Sequence, residues 1–187
     1  YRRILKDRPV PVIPILLNTY FPPNQPTVKR CYNFGQSIGR AIANWNGENA
    51  NKKVAVCASG GISHFVVDED FDNRMIDAMK KNDTKTIFAE PENMFRSGTS
   101  ETKNWIATLG VLSTTNYEMN LLDYVPCYRS EAGTGNAMAT GTGWNTFLRI
   151  TRAPQLAALD GQLLILGNVW LQRLLREILS QCLHFSF

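Results

Sequence analysis

The sequence predicts an α/β domain, a three-layer arrangement around a mostly parallel central sheet. Three observations carry that prediction. Short apolar runs of strand length alternate with longer stretches of helical periodicity, the pattern of strands joined by helical crossovers. The run ending at Ala58 feeds directly into Ser59-Gly60-Gly61-Ile62-Ser63-His64, a glycine turn at the strand end where α/β sheets gather ligands. The 187 residues are 44% hydrophobic and 19% charged, which suffices for one packed core and is too apolar for a disordered chain.

The elements follow in order. Residues 10–17, Val-Pro-Val-Ile-Pro-Ile-Leu-Leu, are an apolar run without clean alternation and are expected as a strand buried on both faces, despite their prolines. Asn18 to Pro26 is a loop, because Pro22, Pro23 and Pro26 forbid regular helix. Thr27 to Trp45 is a helix with Tyr32, Phe34, Ile38, Ile42 and Trp45 on its apolar side, ended by Gly47 and the Asn-rich stretch to Asn51. Lys53 to Ala58 is a strand. Asp68 to Lys81 is a helix with Phe71, Met75, Ala78 and Met79 on one side; its acidic start and basic end suit the helix dipole. Thr99 or Ser100 caps a third helix, Glu101 to Leu112, with Trp105, Ile106 and Leu109 inward. Asn120 to Cys127 is a strand region. Glu131 to Gly143, rich in Gly, Ala and Thr, is expected as a loop or an irregular segment. Beyond Arg149 the composition shifts, and Asn168 to Leu183 is an amphipathic helix. The expected division is a domain over 1–147 and a Leu/Arg-rich tail over 148–187.

Charge and composition exclude some functions. Twenty Lys and Arg against 16 Asp and Glu give a formal charge of +4, spread without a basic tract interleaved with aromatics, so nucleic acid is not an expected partner. No stretch approaches a membrane span, and no signal-peptide pattern opens the chain. Cys31, Cys57, Cys127 and Cys182 are too widely spaced for a metal knuckle or a disulfide framework. They suit a reduced, cytoplasmic setting, with Cys57 expected as a buried thiol.

Three segments could carry chemistry. In the first, His64 follows the double glycine and is suited to acid/base work near neutrality; the plainer reading is a histidine that bonds a loop. In the second, Ser97-Gly98-Thr99-Ser100-Glu101, a carboxylate in a first helical turn stabilises the helix end, or it serves as the oxygen ligand of an iron facial triad. The third, Tyr128 to Met138, offers Arg129 to a substrate carboxylate and small residues to wall a planar ring, or it is a packed turn. Its Gly133-Thr134-Gly135 lacks the context of a phosphate cradle.

Together, PVIPILLNTYFPPNQP (11–26), VAVCASGGISHFVVDEDF (54–71), SGTSETKNWIATLG (97–110) and YRSEAGTGNAMATGTGW (128–144) resemble the class III extradiol ring-cleavage dioxygenases, the superfamily of the protocatechuate 4,5-dioxygenase catalytic subunit. The resemblance covers about residues 9–144. It implies a catalytic domain that opens a catechol-type ring, protocatechuate- or gallate-like, with dioxygen and Fe(II). By the resemblance Glu101 is the glutamate ligand of the iron and His64 the acid/base histidine, with Ser63, Thr99, Ser100 and Arg129 near the substrate. The family's two histidine ligands precede this motif. With His184 as the one other histidine, the chain is expected to be the C-terminal portion of a longer protein, its N-terminal part lying upstream of Tyr1. A homo-oligomer or a second subunit fits the same picture. Two competing readings are a non-catalytic structural or binding subunit of this fold, and a metal-independent hydrolase built on Ser63 and His64. Adjacent residues rarely reach the geometry the last requires.

Overall fold

The computed structural model describes residues 11–48, 54–129, 132–143 and 162–167. Helix α1 (Val28–Glu48) is followed by strand β1 (Val54–Ala58), a two-residue strand β2 (His64–Phe65), and helices α2 (Glu69–Lys80) and α3 (Thr84–Ala89). Two 3-10 turns, Glu92–Phe95 and Ser97–Thr99, lead into helix α4 (Thr102–Leu112). Strands β3 (Tyr117–Arg129), β4 (Ala132–Gly143) and β5 (Gln162–Gly167) complete the order.

The sheet corrects the expected one. It runs β1-β5-β4-β2, with β3 on the other edge of β4. Among the described residues only the β1–β5 pair is parallel; β4 is antiparallel to β2, β3 and β5. The three-layer domain around a mostly parallel sheet therefore gives way to an α/β domain built on the antiparallel unit β2-β4-β3. The reason lies in 131–143, expected to be a loop or irregular because it is rich in Gly, Ala and Thr. Pairing supplies what hydrophobic patterning did not: β4 matches β3 from Arg129↔Ala132 to Tyr117↔Gly143, with one irregularity between Leu121 and Asp123. Its period of two puts Gly135, Ala137 and Ala139 on the buried side, small residues that let other elements approach closely.

A second correction concerns 10–17. Its described part, from Pro11, forms no strand, and Val12, Ile13 and Leu16 are exposed. Pro11 and Pro14 lack the N–H a ladder needs, and this decided against pairing despite the apolar content. Cys57 is also exposed rather than buried. Strand β1 alternates, with Val54, Val56 and Ala58 turned inward and Ala55 and Cys57 outward.

The helices fall close to their expected places. In α2, Asp68 caps the N-terminus by accepting the Phe71 N–H at 2.9 Å, and Phe71, Met75, Ala78 and Met79 are buried, with Ile76 beside them. In α1 the inward face is Val28, Cys31, Tyr32, Gly35 and Gly39, while Phe34 and Trp45 are about half exposed. Helix α4 is enclosed nearly all round, every residue from Trp105 to Leu112 being buried. It lies so close to α1 that a Cβ on Gly35 would stand 1.8 Å from the Ala107 carbonyl oxygen. The helix α3 was not anticipated; Asp83 caps it through the Thr86 N–H and hydroxyl at 3.2 and 2.7 Å. The helix expected over Asn168–Leu183 lies outside the described residues, as do Cys182 and His184. Among the described residues, no helix is long and apolar enough to cross a membrane.

Candidate functional site

The turn Ser59–Ser63 leaves the C-terminal end of β1 and ends in β2, which pairs His64 with Thr134 and Phe65 with Gly133 of β4. Three side chains from the first turn of α4 hold it in place. Thr102 donates its hydroxyl to the Ile62 carbonyl at 3.0 Å, Asn104 its amide to that of Ser59 at 2.9 Å, and Trp105 its indole N–H to that of Gly60 at 2.9 Å. The backbone bends of a glycine turn leave these carbonyls without partners of their own, and α4 supplies all three. The two sequence segments that suggested chemistry are thus one structural unit.

Within that unit His64 and Glu101 meet. His64 Nε2 lies 3.0 Å from Glu101 Oε2, inside ion-pairing distance but without hydrogen-bond alignment, so the buried ring nitrogen has no hydrogen-bond partner. The glycines make the room. Gly60 has φ +136°, a value L side chains rarely adopt, and a Cβ there would stand 2.7 Å from Glu101 Oε2. A Cβ on Gly61 would stand 2.9 Å from His64 Nε2. Any other residue at either position would push into the pair.

Glu101 occupies the N-cap position of α4 but makes no side-chain capping bond. Its side chain is 44% exposed and faces the imidazole rather than the helix amides. Two non-glycine residues with left-handed backbone flank the pair: Phe65 at φ 67°, directly after His64, and Ser97 at φ 55°, at the start of the turn leading to Glu101. Strain of this kind persists where the surroundings over-determine it, often at functional sites.

The other expected site residues lie around this pair in different ways. Ser63 is fully buried beneath it, donating to Asp72 Oδ2 at 2.8 Å and accepting from the Asp68 N–H at 3.2 Å. Ser100 is 2% exposed, and the Thr99 hydroxyl bonds the carbonyls of Met94 and Arg96. Arg129 is the last residue of β3, opposite Ala132, on the antiparallel pair that also carries the partner strand of His64. A cleft of about 490 Å³ lies to one side, lined by Tyr20, Pro22, Pro23, Arg96, Ser97 and Lys103 among others, and includes neither His64 nor Glu101. Its buried cation, Lys103, is 3.7 Å from Glu92 Oε2.

Several residues that build the site were not singled out from the sequence. Asn104 and Trp105 had been visible as part of the Ser-Gly-Thr-Ser-Glu-x-x-Asn-Trp segment, but no spacing rule shows that they reach back to the turn. Asp72, fully buried, and Tyr124, half-buried, form a pair under the site. Tyr124 donates to Asp72 Oδ2 at 2.7 Å, and burial pushes the Asp72 carboxyl above its ordinary range and the Tyr124 phenol above its own.

Iron of the facial-triad type takes two imidazoles and one carboxylate. Glu101 fits one such position. Among the described residues no group of three His, Cys, Asp or Glu side chains converges, and the whole chain has two histidines, so these residues do not complete an iron site.

The fold and the site define an α/β domain with a histidine–glutamate pair set on a glycine turn at the end of a strand. Residues 2–133 match the family described as the catalytic LigB subunit of aromatic ring-opening dioxygenase, and the chain belongs to that family. It is 28% identical over 128 residues to a gallate dioxygenase of Pseudomonas putida; the matched region is 63% of this chain and 36% of that protein. The chain thus spans about a third of the length of this relative. No solved structure matches it significantly.

Proposed function

We propose that this chain carries the glutamate ligand and the proton-transfer histidine of a centre that opens a catechol-type aromatic acid with dioxygen and Fe(II). The observation that carries the reading is the close approach of His64 Nε2 to Glu101 Oε2 on a turn in which Gly60 takes φ +136° and Gly61 leaves room for the imidazole. Family membership supports the reaction type, and the similarity to a gallate dioxygenase supports a gallate- or protocatechuate-like acid as substrate.

Iron would supply Lewis-acid and redox chemistry, with Glu101 as its carboxylate donor and the imidazole donors coming from outside the described residues. The chain's own residues do the rest. His64 Nε2 makes no hydrogen bond in the structure, which leaves it available to a bound catechol. It can accept a phenolic proton from the catechol and return it to product. The turn is tied by α4 through three hydrogen bonds, so the ring is held ready before substrate arrives. Arg129 is the residue proposed to meet the substrate carboxylate. Ser63, Thr99 and Ser100 act by holding the backbone around the pair.

The test uses purified full-length protein and measures iron content, melting temperature and oxygen uptake with gallate and protocatechuate on the same samples. Glu101→Ala should lose iron and turnover together. His64→Ala should keep its iron and lose about 100- to 10,000-fold in rate. A folded His64→Ala protein without iron would place the histidine on the metal and overturn the assignment. Tight catechol binding with no oxygen uptake by the wild type would favour a non-catalytic binding subunit.

A further inference from the structure

We propose that Asp72 is a positioning residue for the His64–Glu101 pair, acting through Ser63 and Gly135 on the turn that aims the imidazole. Asp72 sits in the first turn of α2 and is fully buried. Its Oδ2 accepts two hydroxyls from two different elements: Ser63 at 2.8 Å, from the turn itself, and Tyr124 at 2.7 Å, from β3. The same oxygen presses on β4, where a Cβ on Gly135 would stand 1.7 Å from it. The backbone of Gly135 in turn grips the turn at two successive residues. Its N–H donates to the Ser63 carbonyl and its carbonyl accepts the Ile62 N–H, both at 2.9 Å. One carboxylate oxygen therefore sits where the turn, α2, β3 and β4 meet, directly under the residue that precedes His64.

A helix-end role does not account for this arrangement. An acidic residue stabilises a helix N-terminus from the surface, and Glu69 and Asp70 already occupy the first turn. Asp72 instead leaves Oδ1 buried without a hydrogen-bond partner, which is unfavourable for a carboxyl group. An apolar side chain of similar size would fill the space at less cost, but it could not accept two hydroxyls at one point. What the carboxyl adds is a fixed position for Ser63, and through it a fixed direction for the next residue.

This inference rests on His64 as the proton-transfer group for its catalytic meaning, while its geometric content can be read without iron or substrate. The chain has two histidines, so its imidazole NMR spectrum holds two ring systems, and His184→Gln assigns the one from His64. The measurement is the nuclear Overhauser effect between the His64 ring Hε1 and the Glu101 side-chain protons, taken with the melting temperature. In Ser63→Ala it should fall to less than half the wild-type intensity while the protein stays folded. Asp72→Asn keeps an acceptor oxygen for both hydroxyls and should retain it; Asp72→Ala should lose it. A folded Ser63→Ala protein with unchanged His64 signals overturns the proposal, even where Asp72→Ala fails to fold. This pattern in the chain, together with a full-length protein that holds iron and opens no catechol ring, would overturn the dioxygenase reading and leave the positioning role in place.

Discussion

Replacing Trp105 with phenylalanine isolates the link between α4 and the turn. Trp105 is fully buried, and its indole N–H is the donor to the buried Gly60 carbonyl at 2.9 Å. Phenylalanine keeps an aromatic body in the same place and removes only that donor and part of the ring. A buried acceptor left without its partner costs about 1–3 kcal/mol. The smaller ring leaves a void worth about 1 kcal/mol more. The sum is about 2–4 kcal/mol. For a chain of this length each kcal/mol moves the melting midpoint by about 2–4 °C, so a fall of roughly 4–16 °C is expected. Asn104→Ala removes a bond of similar length at an exposed position and should cost less than about 1 kcal/mol. Thermal unfolding by circular dichroism gives the global change. Hydrogen exchange gives the local one: the Ile62 amide, bonded to Gly135, should exchange faster in Trp105→Phe. If Trp105→Phe melts within a degree of wild type, or Asn104→Ala is equally damaging, the indole does not hold the turn.

The remaining predictions concern the turn, the buried carboxyl and the thiols. Gly60→Ala should destabilise by about 1–3 kcal/mol from the backbone alone, because φ is +136°, and should also move Glu101; equal stability in chemical denaturation would refute the strain. Burial raises the Asp72 carboxyl above its ordinary 3.8, so in the window above that value the native state binds more protons than the unfolded chain. Stability from this group therefore falls as pH rises through the window, and Asp72→Asn should gain on wild type in urea midpoints compared from pH 4 to 7. A difference that does not change with pH would contradict it. Burial pushes the Cys31 thiol up to about 11, whereas Cys127 is exposed, so native alkylation followed by mass spectrometry should modify Cys127 well before Cys31; equal rates would show that the region around Cys31 opens readily.

The sequence by itself determined α1, α2 and α4, because their signals are local. Asp68 before an apolar-periodic stretch specifies α2, and Phe71, Met75, Ala78 and Met79 repeat at helical spacing to bury one face. It also placed a glycine turn ahead of His64 and a carboxylate at the start of α4, since both are properties of adjacent residues. What only the tertiary structure decided is non-local. A Gly, Ala and Thr stretch became β4 because β3 lies beside it, and pairing partners distant along the chain leave no mark in composition. The apolar run from Pro11 failed as a strand for the converse reason: its hydrophobicity was legible, but a ladder needs donors that prolines lack. The meeting of His64 and Glu101, separated by 37 positions, and the role of Asp72 beneath them depend on where α4 and β4 cross the turn. Those positions are fixed by packing and hydrogen bonds between elements, which no short stretch of sequence contains.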